Sequence, residues 1–397
     1  MNPVAVADGL AGRFAERAGG YDRDASFPVA DVDDLREAGL LGLLVPRRLG
    51  GSGVGFSGYV EVAATLARGS GATALVFNMH ASVTGALAGV PDDLARVLGA
   101  PDKFFSWRDR VLAAAASGAV YGVAITERGA GSRLSALRTT YEPEADGYRL
   151  RGRKSVCTGA GHLAAYLVAA RAADAGQDED GRVSYFLVPH GEGLRVVDDW
   201  DPLGMRATAS NGLDLDCHVP AEALIGGVEG LVLPLAYAMP QWLVASYAAV
   251  YVGVARAIVA EARDWVASRV VAGTQGGLGD VGFVRARLGR ADAQVEAAWT
   301  ALAHAAGQVD ERPGEPDTNR WIYRAKLLAG DAATQAATSL TEACGLGPLR
   351  RGTTLERLFR DARSGAIMPP SSDVCADYLG TASLGRDPTT GTDVRPW

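Results

Sequence analysis

A glycine-rich segment at residues 124–140, AITERGAGSRLSALRTT, is the part of the sequence whose residue types best fit ligand chemistry. It follows the strand-like run YGVAIT and contains Gly129, Gly131 and Ser132. Successive backbone N–H groups in such a turn can form an anion-binding concavity, and the Ser132 hydroxyl adds a donor. The segment therefore predicts a loop that binds a pyrophosphate, although its spacing also suits a plain surface connection between strands.

Four segments resemble the acyl-CoA dehydrogenase superfamily, in the right order along the chain. Residues 125–133, ITERGAGSR, are similar to the family wording L-T-E-P-G-A-G-S-D. The other three segments are GYRLRGRKSVCTGAG, DPLGMRATASNGLDLDCHVPAEALIG and LERLFRDAR, which begin at residues 147, 201 and 355. The resemblance spans nearly the whole chain. It implies an α+β fold with an N-terminal helical domain, a central β-barrel or sandwich domain and a C-terminal four-helix bundle.

The resemblance also implies FAD as the cofactor and assigns contacts to it by position. Thr126 and the backbone of Ile125 would meet the flavin ring, and Ser132 would meet the pyrophosphate. Thr158 matches a threonine that hydrogen-bonds near flavin N5. Val156 stands where the family often has an aromatic residue against the ring.

Further cofactor contacts are implied near the end of the chain. Arg269 and Gly345 match positions that serve the FAD of a neighbouring subunit, so we expect a homodimer or homotetramer. Ser371 matches the threonine of the family's E-G-T motif. Asp373 is the nearest acid to that motif and is expected beside the flavin or the cofactor.

The residue that performs catalysis in the family is missing. Family members remove a proton from the carbon next to a thioester with a glutamate whose pKa is raised by an apolar site. The two positions where they place it hold Pro369 and Leu243, and residues 231–260 contain no Asp or Glu.

Three functions remain open from the residues alone. In the first, an acyl thioester on CoA or a carrier protein is oxidised, and Tyr247 or His80 replaces the base, although a lone histidine in an apolar helix more often packs in the core. In the second, no base is needed, as in flavin monooxygenases of the same fold, which residues 360–370 (RDARSGAIMPP) resemble. In the third, flavin or an acyl group is bound without turnover. We expect them in this order.

The elements that must position these residues follow a helix–strand–helix order. Amphipathic patterns predict a helical domain at 1–120, short runs bounded by Gly, Asp and Pro predict a β domain at 121–223, and helices return at 224–385, before a flexible tail at 386–397. The run EADG, residues 144–147, predicts a hairpin turn. Residues 233–270 are predicted to form one long helix.

Composition narrows the partners and the setting. The net charge of −7 and the lack of a basic block argue against nucleic acid as a partner, so the expected substrate is a small molecule. The four cysteines contain no CxxC pair, and the adjacent Cys217 and His218 make a poor chelate, so we expect a reduced, cytoplasmic enzyme without a metal. The uncharged stretch 231–255 could span a bilayer, but its Pro, Gln, Ser and Tyr residues favour a buried helix.

Overall fold

The computed structural model describes residues 2–175, 182–270 and 276–389. The chain opens with six helices. They are α1 (Pro3–Asp24), α2 (Val29–Glu37), α3 (Phe56–Gly69), α4 (Gly71–Gly89), α5 (Asp92–Val97) and α6 (Asp102–Ala116). The α4 helix has almost no exposed face, because its residues from Gly71 to Gly85 are buried on all sides. It is therefore a central element against which the rest of the molecule packs.

The middle of the chain forms one seven-stranded sheet. Its strands are β1 (Tyr121–Ala124), β2 (Thr140–Glu144), β3 (Gly147–Lys154), β4 (Ala165–Ala172), β5 (Val183–Pro189), β6 (Leu194–Val197) and β7 (Gly212–Pro220). The predicted hairpin is confirmed, since β2 and β3 are antiparallel and Glu144 pairs with Gly147. The longest antiparallel ladder joins β3 to β7, and β1 runs parallel to β4.

Helices return after the sheet. They are α7 (Val232–Ala238), α8 (Ala245–Ala267), α9 (Gly282–Glu311), α10 (Pro316–Cys344), α11 (Thr354–Ala362), α12 (Ser364–Ile367) and α13 (Ser372–Ser383). The α8 helix lies between α3, α4, α9 and α10. Its approach to α3 is close, because a Cβ on Gly253 would come within 2.3 Å of the Ala64 carbonyl oxygen. The predicted order of helical, sheet and helical parts is confirmed.

The prediction of one helix over residues 233–270 is wrong. The stretch divides into α7, a short 3-10 turn at Pro240–Trp242, and α8. Pro240 is the physical reason, because proline lacks an N–H and its ring clashes with the preceding helical turn. The break matters for the site, since it places Leu243 just before the first turn of α8.

The long apolar stretch is a core helix of the bundle. Pro240–Ala267 is the only helix of the described residues that is long and apolar enough to cross a membrane, and 72% of its most apolar window is buried inside the protein. This burial supports the interpretation made from its polar residues. The predicted domain boundaries at 120, 223 and 385 remain predictions, and residues 390–397 of the predicted tail lie outside the described residues.

Candidate active site

A cavity of about 240 Å³ lies where the sheet, α4 and the start of α8 meet. This volume is below the range of about 300–1,000 Å³ that is typical of drug-sized ligands, so the cavity itself encloses something small. Its lining residues come from six parts of the chain: Leu75, Met79, Val123, Ile125, Thr126, Ser132, Val156, Thr158, Trp200, Met205, Thr208, Ser210, Leu243, Tyr247, Ser364, Met368 and Pro369. The structure therefore brings five of the predicted cofactor contacts together in one place, together with both positions of the missing glutamate.

The glycine-rich loop is fixed from beneath by a buried ion pair. The Lys154 ammonium, which is fully buried, donates to Glu127 Oε1 at 2.7 Å and to the Ile125 carbonyl oxygen at 3.2 Å. Glu127 also accepts from the backbone N–H groups of Arg138 and Thr139. Burial opposes the charge of Glu127, but the Lys154 charge and these hydrogen bonds outweigh it and lower the pKa of the carboxyl. The pair thus holds Ile125 and Thr126 against the cavity.

Within that loop, the structure corrects the expected use of the Gly131 N–H. That N–H donates to the Glu127 carbonyl oxygen at 2.9 Å, and the Glu127 N–H donates back to Gly131. Gly131 has a φ of +63°, which a glycine adopts without strain. It therefore shapes the loop, and the donor that remains at the cavity is the Ser132 side chain beside it.

A run of hydroxyl groups forms the next part of the same wall. Thr158 Oγ1 lies 3.1 Å from Ser210 Oγ, which lies 2.7 Å from Thr208 Oγ1. Sequence reasoning assigned a role to Thr158 but missed Thr208 and Ser210. The signal was present in the segment DPLGMRATAS, which was matched to the family only as a whole.

The segment that carries these hydroxyls is held in a sparsely populated backbone conformation. Met205, with a φ of 55°, and Ala209, with a φ of 44°, are both in the left-handed region. Val156, which also lines the cavity, has a φ of 56°, which is unusual for a β-branched residue. Three of the four described non-glycine residues with positive φ thus lie in or beside the cavity wall, where such strain is typically maintained by surrounding contacts.

Those contacts come from α11, the helix of the R-D-A-R segment. Asp361 Oδ1 accepts from the Met205 N–H at 2.6 Å. Arg360 binds Asp22 of α1 through two N–H groups and donates to the Leu203 carbonyl oxygen. Gly204 permits the close approach, because a Cβ there would lie 2.3 Å from the Arg360 carbonyl oxygen. The terminal motif therefore positions the wall at Met205 and does not contact the cavity itself.

The helical wall opposite is apolar. Leu243, Met368 and Pro369 line it, together with the ring of Tyr247. Among the described residues that line the cavity there is no Asp, Glu, Lys, Arg or His. Burial raises the pKa of Tyr247 well above its ordinary value of 10.0, so its phenol stays protonated at neutral pH. Tyr247 can donate a hydrogen bond but is a poor base.

Three other predicted residues lie outside the cavity lining. His80 is 1% exposed, its Nε2 lies 2.7 Å from the Leu41 carbonyl oxygen and its Nδ1 accepts from the Tyr121 N–H. Burial lowers the pKa of His80 to about 4, so it is a neutral core residue with both nitrogens engaged, and it gains no support as a base. Ser371 caps α13 by accepting from the Val374 N–H, and Asp373 is exposed in the first turn of that helix.

The two residues expected to serve a neighbouring subunit lie close together at the far end of α8. The Arg269 guanidinium carbon is 3.8 Å above the ring of Trp265. Trp265 Nε1 donates to the Cys344 carbonyl oxygen, next to Gly345. Both Arg269 and Gly345 are exposed and are absent from the lining of this chain's own cavity. Their role toward a second subunit stays a prediction.

Comparisons with known proteins agree with this architecture. The family models of the acyl-CoA dehydrogenase N-terminal, middle and C-terminal domains match residues 5–90, 122–217 and 245–368, respectively. Together they cover more than half of the sequence. The chain belongs to the acyl-CoA dehydrogenase family. This confirms the resemblance on which the site assignments depend.

Individual relatives in this family differ in chemistry. YdbM of Bacillus subtilis, which is named provisionally as an acyl-CoA dehydrogenase, is 28% identical to this chain. The match covers 94% of each protein. L-evernosamine nitrososynthase of Micromonospora sp. is 30% identical over 96% of this chain and 90% of that protein. The crystal structure of TdsC from Paenibacillus sp. A11-2 with FMN and indole superposes with a TM-score of 0.83 at 25% identity, and covers 96% of this chain and 97% of that one. Membership therefore indicates an oxidoreductase without fixing the reaction.

Proposed function

We propose that this protein is a flavin-dependent monooxygenase that transfers one oxygen atom to a small molecule. One observation carries the proposal. Both positions where the family keeps its glutamate, Leu243 and Pro369, lie in the cavity wall, and neither side chain can accept a proton. Their shared place in the wall supports the matching of these two residues to the family's glutamate positions. The described cavity lining lacks the carboxylate that thioester oxidation requires.

The wall formed by the sheet suits a flavin by its donor chemistry. The hydroxyls of Thr126, Ser132 and Thr158 line one side, and apolar side chains line the other, as a ring system with polar edges requires. Thr126 and Thr158 would hold the ring, and Ser132 would hold the phosphates. When bound and reduced, the flavin supplies two electrons, so that one atom of O₂ enters the substrate and the other leaves as water.

The chain's own residues then bind, orient and exclude water. The Lys154–Glu127 pair fixes the loop at Ile125 and Thr126, and Asp361 fixes the wall at Met205. Leu243 and Pro369 line the substrate side with apolar groups, which exclude water from the reacting atoms. The reaction does not require a proton to be removed from the carbon next to a thioester carbonyl.

The relatives lend support of the same kind. A nitrososynthase and an FMN-containing dibenzothiophene monooxygenase of the same fold each match more than nine-tenths of this chain. The order of functions expected from the sequence is therefore reversed here. The thioester dehydrogenase remains the second candidate, because the loop with Gly129, Gly131 and Ser132 keeps the family wording.

The test compares what reduces the flavin and where oxygen goes. Oxidised holoprotein is mixed without oxygen with butyryl-CoA, and the absorbance of the flavin is followed by stopped flow. Chemically reduced holoprotein is then mixed with ¹⁸O₂ and a panel of phenols, indoles and amines, and products are analysed by mass spectrometry. We expect no reduction by butyryl-CoA and one ¹⁸O atom in at least one product.

Two variants make the negative result informative. Leu243→Glu places a carboxylate at one family position, and Leu243→Gln has the same shape without the base. Slow reduction by butyryl-CoA in the Glu variant alone would show that residue 243 lies across from the flavin. Reduction of the unmodified protein by butyryl-CoA at ordinary turnover rates, about 1–10³ s⁻¹, would instead establish the dehydrogenase.

A further inference from the structure

The Tyr247 hydroxyl is a polar group without a protein partner in an apolar cavity wall. Tyr247 lines the cavity and is 8% exposed, and none of the described residues hydrogen-bonds to its hydroxyl. A hydroxyl that lines a cavity and has no protein partner is free to hydrogen-bond a molecule bound there, and leaving it unsatisfied beside such a molecule would cost about 1–3 kcal/mol.

The rest of the described lining carries no charged side chain and contains several adaptable ones. Three of the chain's five methionines, Met79, Met205 and Met368, line the cavity. Methionine side chains fill irregular gaps and contact soft or aromatic surfaces favourably. A charged ligand group would find no countercharge in the described lining, and burying it unpaired would be costly.

We infer that the cavity binds an uncharged substrate with an apolar body and one neutral hydrogen-bonding group, which the Tyr247 hydroxyl holds. The inference deepens the proposed function, because it takes the cavity to be the substrate side of a flavin site. Tyr247 then acts as a specificity-determining residue rather than as the base expected from the sequence. A nucleotidyl thioester would have to leave its charged portion outside.

The test measures binding to oxidised holoprotein by calorimetry at pH 7, without turnover. The probes are naphthalene, 2-naphthol, 2-naphthoate and butyryl-CoA, of which the first three differ only in one substituent. We expect 2-naphthol to bind about tenfold more tightly than naphthalene, and 2-naphthoate to bind at least tenfold more weakly than 2-naphthol. Tyr247→Phe should remove the advantage of 2-naphthol and leave naphthalene binding within twofold.

Matched variants separate recognition from packing. Tyr148→Phe, which removes the half-buried hydroxyl near Glu229, should change the binding of neither naphthalene nor 2-naphthol. Equal losses for naphthalene and 2-naphthol in Tyr247→Phe would overturn the inference, as would tighter binding of 2-naphthoate, tighter binding of butyryl-CoA, or no binding of any naphthalene. Because no oxygen transfer is measured, these outcomes are independent of whether the ¹⁸O experiment succeeds.

Discussion

The two walls of the cavity differ in what they keep from the family. The sheet wall retains hydroxyls at Thr126, Ser132 and Thr158, and a buried ion pair and a helix hold it from behind. The helical wall has Leu243 and Pro369 where a glutamate is usual. The wall expected to receive the cofactor thus keeps its polar residues, while the opposite wall has no carboxylate at the family positions. We therefore expect cofactor binding and the reaction to be separable properties of this site.

The comparison predicts that the sheet wall depends on its buried ion pair. Glu127→Gln would leave the Lys154 cation buried without a countercharge, so the free energy of unfolding should fall by about 3–5 kcal/mol. Urea denaturation followed by circular dichroism measures the change. The double variant Glu127→Gln/Lys154→Met should recover most of the loss. A single variant that stays within 1 kcal/mol of the unmodified protein would show that the pair does not support this wall.

The sheet wall is also expected to be the cofactor wall. Ser132→Asp places an anion where we expect the pyrophosphate, so the affinity for FAD should fall roughly a hundredfold, or about 3 kcal/mol. The ratio of flavin to protein absorbance after gel filtration, and titration of the apoprotein, measure it. Ser132→Ala, which removes only the donor, should cost no more than tenfold. A Ser132→Asp variant that keeps the full flavin absorbance of the unmodified protein would contradict the assignment of the sheet wall as the cofactor wall.

His80 lies behind the cavity and predicts a pH dependence of stability rather than of catalysis. Its pKa falls from 6.5 to about 4 on burial, so the unfolded chain binds the proton more readily than the folded one. The stability that neutral His80 contributes is fully present above the unfolded pKa of 6.5 and is lost as the pH falls from 6.5 towards 4. The free energy of unfolding should therefore fall by about 2 kcal/mol between pH 7 and pH 5. Urea midpoints across this range measure it.

The control for this pH dependence is His80→Gln, which keeps a polar side chain but has no proton to bind. In that variant, the decrease in the free energy of unfolding between pH 7 and pH 5 should be smaller by about 2 kcal/mol. A pH dependence that is unchanged in His80→Gln would contradict the assignment to this residue.

The smallest expected effect concerns the distant end of α8. If Arg269 reaches the FAD of a second subunit, Arg269→Ala should weaken flavin affinity by roughly tenfold, or about 1.4 kcal/mol, although Arg269 does not line this chain's own cavity. Flavin titration at several protein concentrations measures it. Arg263→Ala, which removes an exposed arginine inside α8 that pairs with Asp264, is the control. Equal affinity in both variants would remove Arg269 from the cofactor contacts.

Much of the fold followed from local patterns, because those patterns report elements that local chemistry determines. The EADG turn fixed the β2–β3 hairpin, and the long apolar stretch marked the buried core helix. The apolar composition around Pro240 favours one continuous helix, but a single proline is enough to separate α7 from α8.

The site could be predicted only in part, for a related reason. Ser132 and Thr158 lie in segments that resemble family motifs, and both residues line the cavity. Thr208, Ser210 and Asp361 belong to a backbone arrangement that no periodicity reports, because left-handed Met205 is held by Asp361, which lies 156 positions away. The two nitrogens of His80 likewise find their partners only in three dimensions.

The bond between Arg360 and Asp22 joins residues 338 positions apart. During synthesis, therefore, the wall at Met205 lacks its support until α11 has emerged, long after the glycine-rich loop has been made. A chain truncated before α11 would therefore have the glycine-rich loop without the support of the wall at Met205. Such non-local contacts slow folding and leave apolar surface exposed in the meantime, which favours aggregation of incomplete chains.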